Sequence, residues 1–196
     1  MRLLVATTNP DKLREIRSLL ADVPIELATL RDLAPIEEPD ETGETFQDNA
    51  RLKALYYAAR SGMLTVAEDS GLSIDALQGD PGVRSARFLR PDATYPERFS
   101  EIYKRLAAHT AQNRAARFVC ALAVASGDTI LFETTGIVQG EIIEPPRGDR
   151  GFGYDPIFYY PPYRSTLAEV TEDTKLHVAH RGQAFRALAE WLSNRT

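Results

Sequence analysis

Residues 3–12 read LLVATTNPDK and give the clearest indication of the fold class. The apolar run at residues 3–6 predicts a buried strand. Asn9 and Pro10 predict the start of a helix, because asparagine caps helix N-termini and proline suits the first helical position. Apolar residues then recur at helical spacing as far as Leu20. A strand, a short loop and a helix in this order are the usual opening of an α/β fold.

The rest of the chain continues this alternation of strands and helices. Strands are predicted at residues 25–29, 63–67, 72–75, 117–125, 129–132 and 137–143. Helices are predicted at residues 46–60, 96–108 and 177–194. Residues 34–45 and 144–164 read as loops, and long loops in compact domains are often functional. We expect one α/β domain that covers residues 1–196.

The composition is that of an ordinary globular protein. Of the 196 residues, 43% are hydrophobic and 26% are charged, and the net charge is −5. An acidic chain has no overall positive field for duplex DNA or RNA, so we expect no nucleic-acid partner. No apolar run approaches the roughly 20 residues of a membrane span, so we expect no membrane partner. We expect the single cysteine, Cys120, to be a small buried hydrophobic residue. A single cysteine cannot form an internal disulfide, so we expect a cytoplasmic protein.

A candidate phosphate-binding site at the start of the first helix is the run Thr7-Thr8-Asn9-Pro10-Asp11-Lys12. Free backbone N–H groups at a helix N-terminus attract anions, and two hydroxyls, an amide and a lysine gather here. The run lacks the Gly-x-x-x-x-Gly-Lys spacing of a P-loop. Because threonine and asparagine cap many helices that bind nothing, the alternative is an ordinary capped helix.

Two acidic segments have the same order of residue types. Glu68-Asp69 precedes Ser70 and a glycine after an apolar run, and Asp40-Glu41 precedes a threonine and a glycine. Carboxylates at the end of a buried strand suit Mg²⁺, which takes oxygen ligands and is often shared with substrate phosphates. The alternative is a strand that ends in a solvated turn, with solvated loop charges at residues 40–41.

Asn49 and Lys53 lie four residues apart and therefore share one face of the predicted helix at residues 46–60. The same face carries Phe46 and Ala50, so it points towards the core or a cleft. A lysine in such a place either extends its amine to solvent or holds an anion.

Aromatic and basic residues near the C-terminus are candidates for binding a nucleobase. Phe152-Gly153-Tyr154-Asp155 places two aromatics beside an acid, which can stack on a base and accept from its N–H edge. Lys175, His180 and Arg181 offer donors that fit purine oxygen and nitrogen acceptors. The alternatives are aromatics that pack in the core and a histidine buried on an apolar helix stripe.

Six segments in fixed order carry a resemblance over nearly the whole chain. They are TTNPDK (7–12), ETGETFQDNARLKA (41–54), AEDSGL (67–72), PGVRSARF (81–88), FGYDPIF (152–158) and KLHVAHRGQA (175–184). The chain resembles the noncanonical purine nucleoside triphosphate pyrophosphatases, the inosine/xanthosine triphosphatase or XTP/dITP diphosphatase family. The resemblance implies hydrolysis of ITP, dITP and XTP to the monophosphate and pyrophosphate, with Mg²⁺ and as a homodimer. It also implies a long central twisted mixed β-sheet flanked by helices, in two lobes with a nucleotide cleft between them.

The resemblance also implies roles for the candidate residues. Thr7 to Lys12 would hold the triphosphate, and Lys53 would add a positive charge. Asp69 would be the general base and would lie beside Mg²⁺, and Ser70 would touch the substrate. The implied metal ligands are Asp69, Glu68 and either Glu41 or Asp40. The implied base pocket consists of Phe152, Gly153, Tyr154, Asp155, Lys175, His180 and Arg181.

One position departs from the family pattern. The family usually has serine before His-Arg, and this chain has Ala179. If the family serine reads the base through its hydroxyl, this enzyme would select its substrate less sharply. Two other functions stay open from the sequence. One is a catalytically silent nucleotide-binding module on the same fold, and the other is an α/β hydrolase that acts on modified or pyrimidine nucleotides.

Overall fold

A seven-stranded mixed sheet forms the centre of the computed structural model, which describes residues 1–108 and 113–195. The strands are β1 Arg2–Val5, β2 Glu26–Thr29, β3 Leu64–Ile74, β4 Ala115–Ser126, β5 Thr129–Ile142, β6 Phe158–Tyr160 and β7 Ser165–Thr166. Their order in the sheet is β2-β1-β3-β4-β5-β6-β7. β1 is parallel to β2 and β3, whereas β6 is antiparallel to β5 and β7. The predicted mixed sheet is confirmed.

Helices flank the sheet, and local sequence sets their ends. They are α1 Pro10–Leu19, α2 Phe46–Ser61, α3 Tyr95–Ala108, α4 Glu172–Val178 and α5 His180–Ser193. Asn9 caps α1, as predicted, and the Thr45 side chain caps α2. α2 ends at Gly62, which adopts the left-handed conformation with φ 66°. Among the described residues, no helix combines the length and apolarity needed to cross a bilayer.

The chain forms two compact units, each with its own apolar core. The first comprises Met1–Ser70, Cys120–Gly136 and the segment from His180 onward, and the second comprises Gly71–Val119 and Ile137–Ala179. The first unit has two apolar clusters. One contains Val66 from β3 with Phe185 and Leu188 from α5. The other contains Ala67 from β3 with residues of α2. Because neighbours on a strand point to opposite faces, these clusters cover opposite sides of β3.

Several elements differ from the sequence prediction. The strands predicted at residues 129–132 and 137–143 are one strand, β5, which runs unbroken from Thr129 to Ile142. Residues 68–71 do not form a turn, because β3 runs unbroken from Leu64 to Ile74. The predicted C-terminal helix is two helices, α4 and α5, separated at Ala179, whose backbone is extended (φ −65°, ψ 153°). The loop predicted at residues 144–164 contains the 3₁₀ helix Asp155–Ile157, the strand β6 and the 3₁₀ helix Pro161–Tyr163.

Candidate active site

The acidic stretch of β3 presents its side chains alternately to the two faces of the strand. Glu68 and Ser70 therefore share one face, and Asp69 occupies the other. All three lie in the first unit, and Glu68 and Asp69 are almost fully buried. Buried carboxylates need partners, because an unpaired charge in a low-dielectric interior is strongly disfavoured. The partners on the two faces come from different helices.

Arg181 of α5 binds the Glu68 face, and its side chain is 2% exposed. Its Nε donates to Glu68 Oε1 at 2.9 Å, and its Nη2 lies 3.3 Å from Glu68 Oε2. Nη2 also donates to Ser70 Oγ at 2.9 Å, and Nη1 donates to Glu15 Oε2 at 2.7 Å. The guanidinium thus holds both neighbours of Asp69, and it is itself neutralised by two buried carboxylates.

Glu68 has two further partners. The Cys120 thiol donates to Oε2 at 2.8 Å, and Lys12 Nζ lies 3.5 Å from Oε1. Burial alone would raise the pKa of Glu68, but Arg181 and Lys12 outweigh it and hold that pKa well below the usual carboxyl range. Burial and the adjacent Glu68 raise the pKa of the Cys120 thiol. Glu68 is therefore ionised, whereas Cys120 is a protonated hydrogen-bond donor and no nucleophile.

Asp69 faces α2 and the acidic loop. Lys53 Nζ lies 3.3 Å from Asp69 Oδ1 and 2.6 Å from Glu41 Oε1. Asn49 Nδ2 donates to Asp69 Oδ2 at 3.2 Å. Burial, with Glu41 adding to it, raises the pKa of Asp69 despite Lys53. Burial opposes the charge on Lys53, but Asp69 and Glu41 outweigh it and raise the pKa of that amine. Asp69 is thus a carboxylate of raised basicity next to a cation.

Asn49 also fixes the acidic loop. Its Oδ1 accepts from Gly43 N at 2.8 Å while its amide nitrogen binds Asp69. The loop is thereby held with Glu41 against Lys53, whereas the neighbouring Asp40 is exposed. Of the two residues that the sequence left open as a metal ligand, the geometry therefore favours Glu41 over Asp40.

The start of α1 carries the candidate phosphate-binding run. Asn9 Oδ1 accepts from the backbone N–H groups of Asp11 and Lys12 at 2.9 and 3.1 Å. Thr7 Oγ1 accepts from Asn9 N at 3.2 Å, and the Thr8 hydroxyl donates to Glu38 at 2.7 Å. Asp11 pairs with Arg14, and Pro10 occupies the first helical position. Because Asn9 already occupies two of the helix N–H groups, a phosphate here would depend chiefly on Lys12 and the two threonine hydroxyls.

The predicted base pocket divides between the two units. In the second unit, Lys175 Nζ donates to Asp155 Oδ2 at 2.6 Å and lies 4.8 Å from the centre of the Phe152 ring. Phe152 N donates to the same Asp155 oxygen at 2.9 Å, and Gly153, which follows Phe152, is partly buried. Tyr154 is 3% exposed, so its ring is enclosed by protein. These contacts bring Phe152, Asp155 and Lys175 together.

His180 and Arg181 belong to the first unit, at the start of α5. Both are buried. The start of this helix lies directly on β5 at Gly136, where a Cβ atom would come within 2.0 Å of the His180 carbonyl oxygen. Glycine at that position allows α5 to approach closely enough for Arg181 to reach β3. There Arg181 contacts Glu68 and Ser70, in addition to Glu15 of α1.

Two residues of this site were missed from the sequence. Glu15 could have been found, because it lies three residues after Lys12 and therefore on the same side of α1. Cys120 was predicted only as a buried hydrophobe, and its burial is confirmed at 0% exposure. No local pattern indicates its hydrogen bond to Glu68, because the two residues lie 52 positions apart.

The fold and this site define an α/β protein with a buried acid and lysine centre on the third strand of a mixed sheet. The chain belongs to the Ham1 family, whose family model matches residues 3–191. It is 48% identical over 188 residues to a dITP/XTP pyrophosphatase from Nostoc sp., covering 95% of this chain and 91% of that protein. It is 45% identical over 190 residues to a dITP/XTP pyrophosphatase from Exiguobacterium sp., covering 96% and 95%. A HAM1 protein from Coxiella burnetii has a similar structure, with a TM-score of 0.92, 37% identity and 99% of each chain covered.

Proposed function

We propose that this protein hydrolyses noncanonical purine nucleoside triphosphates, namely ITP, dITP and XTP, to the nucleoside monophosphate and pyrophosphate. The observation that carries the proposal is the environment of Asp69, a buried carboxylate of raised pKa that contacts Lys53 and Asn49. The relatives named dITP/XTP pyrophosphatase support the substrate class.

Asp69 is the proposed general base. It would accept a proton from the attacking water as the anhydride between the α- and β-phosphates breaks and pyrophosphate leaves. A base of this kind contributes about 10²- to 10⁴-fold, and it works best when its pKa lies near the operating pH. Burial raises the pKa of Asp69 in that direction. Lys53 and Lys12 would neutralise phosphate charge, which is the main demand of phosphoryl transfer on a protein.

Mg²⁺ fits the donors on the Asp69 face. Glu41 and Asp69 both contact Lys53 Nζ, so two carboxylates converge on one point. In the described part of the chain, no group of three or more His, Cys, Asp or Glu side chains could hold a metal by itself. Mg²⁺ commonly uses one or two carboxylates and takes its other ligands from substrate phosphates and water. When bound, Mg²⁺ would neutralise charge on the phosphates. Because Glu68 is engaged by Arg181, it would lie outside the set of direct metal ligands.

Lys175 and Asp155 are the proposed groups for base recognition, with Phe152 to stack on the purine. While it holds Asp155, Lys175 can also donate to the 6-oxo oxygen of hypoxanthine or xanthine, whereas the 6-amino group of adenine would present a donor to this donor. Buried polar groups without a partner can reject an analogue by roughly 10⁴- to 10⁵-fold. Both side chains are 3% exposed, which makes such a penalty effective.

One assay tests the proposal. Pyrophosphate release is measured with the purified chain and Mg²⁺ on ITP, XTP, dUTP, GTP and ATP in parallel. The proposal requires release from ITP and XTP far above release from ATP. Absence of release from every nucleotide would identify a silent binding module, and a maximum on dUTP would identify a pyrimidine hydrolase.

We also propose a single functional domain over residues 1–196, a homodimer and a cytoplasmic location. The family resemblance supports the dimer. The single cysteine, buried and pointing at Glu68, supports a location that does not depend on disulfides. Size-exclusion chromatography with light scattering measures the dimer directly, and a mass of one chain would refute it.

A further inference from the structure

Ser85 is a buried hydroxyl of the second unit to which the proposed mechanism gives no role. It lies in the 3₁₀ helix Gly82–Arg87 and is 6% exposed. Its Oγ accepts from Leu72 N at 2.9 Å and donates to the Gly82 carbonyl at 2.6 Å. These two bonds fix the Ser85 backbone against β3.

Gly71 provides the space for this contact. A Cβ atom at position 71 would lie 2.2 Å from Ser85 Oγ and 2.7 Å from the Gly82 carbonyl oxygen. Both distances are far below van der Waals contact, so any side chain at Gly71 would displace Ser85. Gly71, which indicated a turn in the sequence, is therefore needed so that the Ser85 hydroxyl can pack against the continuous strand β3.

The Ser85 carbonyl in turn holds Tyr154. The Tyr154 hydroxyl donates to it at 2.8 Å. The Tyr154 ring packs edge-on against Tyr95, with ring centres 5.3 Å apart, and in a tilted arrangement 6.1 Å from Phe99. The ring and the hydroxyl of Tyr154 are therefore both held by contacts inside the second unit.

Tyr154 directly precedes the acid of the proposed base pocket. Asp155 begins a 3₁₀ helix and receives bonds from Lys175 Nζ and from Phe152 N. We propose that Ser85 is a positioning residue for purine recognition, which holds Tyr154 and thereby sets Asp155 and the lysine paired with it. This inference rests on the proposed function, because it takes Asp155 and Lys175 as the groups that bind the base.

Tyr154→Phe is the decisive variant, because it removes the hydroxyl that binds the Ser85 carbonyl, together with its interaction with Arg98, and keeps the ring packing. Tyr103→Phe is its matched control. The Tyr103 hydroxyl donates to the Ile143 carbonyl at 3.0 Å in the same unit, and Tyr103 belongs to no proposed site. Both changes delete one tyrosine hydrogen bond to a backbone carbonyl, so they should lower Tm to a similar extent.

The kinetic readout separates positioning from stability. Tyr154→Phe should raise KM for ITP about tenfold with a much smaller change in kcat, and it should lower the ITP-over-ATP ratio of kcat/KM. Tyr103→Phe should leave both quantities at the wild-type values. Ser85→Ala keeps the carbonyl but removes the two bonds that fix its position, so it should shift KM in the same direction. The double variant with Tyr154→Phe should show less than the sum of the two effects, because both weaken the link between Ser85 and Tyr154.

Hydrogen–deuterium exchange gives a second readout that needs no activity. Peptides covering residues 150–158 should exchange faster in Tyr154→Phe than in the wild type, and Tyr103→Phe should leave them unchanged. Unaltered exchange in Tyr154→Phe, or an equal KM shift in the control, overturns the inference. Absence of ITP turnover by the wild type refutes the proposed function instead, and the exchange experiment still decides the role of Ser85.

Discussion

Arg181 binds both carboxylate oxygens of Glu68, with Nε 2.9 Å from Oε1 and Nη2 3.3 Å from Oε2. The same guanidinium reaches Ser70, so it binds the residues on either side of Asp69. A planar guanidinium suits this task, because its fixed fork of donors matches a carboxylate. The Glu68 side chain on one face of β3 thus belongs to an ionic network, and Asp69 on the opposite face is the proposed general base.

Loss of Arg181 should be strongly destabilising. Arg181→Met leaves Glu68 and Glu15 buried with fewer partners, and breaking a buried ion pair on one side costs about 3–5 kcal/mol. Urea denaturation measures the free energy of unfolding. Arg51→Met is the matched control, since its pair with Glu133 is more exposed and should contribute less than about 1 kcal/mol. Equal losses in the two variants would contradict the ionic network around Arg181.

Asp69→Asn should abolish most pyrophosphate release without lowering stability. The loss of the base should reduce kcat by about 10²- to 10⁴-fold. Because burial raises the pKa of Asp69, the folded state disfavours its charge, and a neutral amide should leave Tm at neutral pH unchanged or higher. Asp75→Asn, at an exposed surface pair with Arg117, should retain wild-type kcat. Near-normal turnover by Asp69→Asn would remove Asp69 from the mechanism.

Lys12→Ala should raise KM for ITP more than it lowers kcat. A charge-assisted hydrogen bond contributes about 1.5–3 kcal/mol, which corresponds to at least tenfold in KM. Steady-state kinetics measure both constants. Lys104→Ala, an exposed lysine on α3, should change neither. If KM is unchanged in Lys12→Ala, the run at residues 7–12 does not hold the triphosphate.

Glu41→Gln should raise the Mg²⁺ concentration needed for half-maximal activity by roughly tenfold, because it removes one of two carboxylates that converge near Lys53. Asp40→Asn should leave that concentration unchanged, since Asp40 is exposed while Glu41 is the residue held against the lysine. Magnesium titrations of activity measure the difference. A shift in Asp40→Asn alone would reverse the assignment.

Glu97→Gln should weaken the fold in a pH-dependent way. The backbone N–H of Thr94 first, and Arg90 next, lower the pKa of Glu97 from 4.5 to about 2. A depressed pKa contributes stability above the unfolded value and loses it as pH falls through the folded value. The urea midpoint of Glu97→Gln should therefore lie below wild type at pH 7, and the gap should narrow between pH 4.5 and 2. A gap that stays constant over this range would refute the ionic contribution.

Local chemistry made part of this structure predictable. Asn9 and Pro10 start α1 as expected, because capping depends on neighbouring residues alone. Asn49 and Lys53 share a face of α2, as their spacing requires, and both contact Asp69. The contacts of Arg181 could not be predicted from its neighbours in the sequence. Arg181 and Glu68 lie 113 positions apart, and only the assembled sheet brings them together.

The wrongly predicted turn has the same origin. Two acids followed by serine and glycine look solvent-exposed when judged from neighbouring residues. In the fold, Glu68 is neutralised by a distant arginine, and Gly71 makes room for a distant serine. A stretch that meets its partners only after folding therefore resembles a loop in the sequence, although it is the centre of a buried strand.

Alternation along β3 makes correct strand pairing a condition of activity. β1 pairs with β3 through Leu3 with Leu64, Leu4 with Thr65 and Val5 with Val66. A slip of one residue would turn Asp69 towards Arg181 and present a neighbour to Lys53. It would also exchange the residues that β3 presents to the apolar clusters on its two faces, so the packing of both clusters disfavours a register in which Asp69 is misplaced.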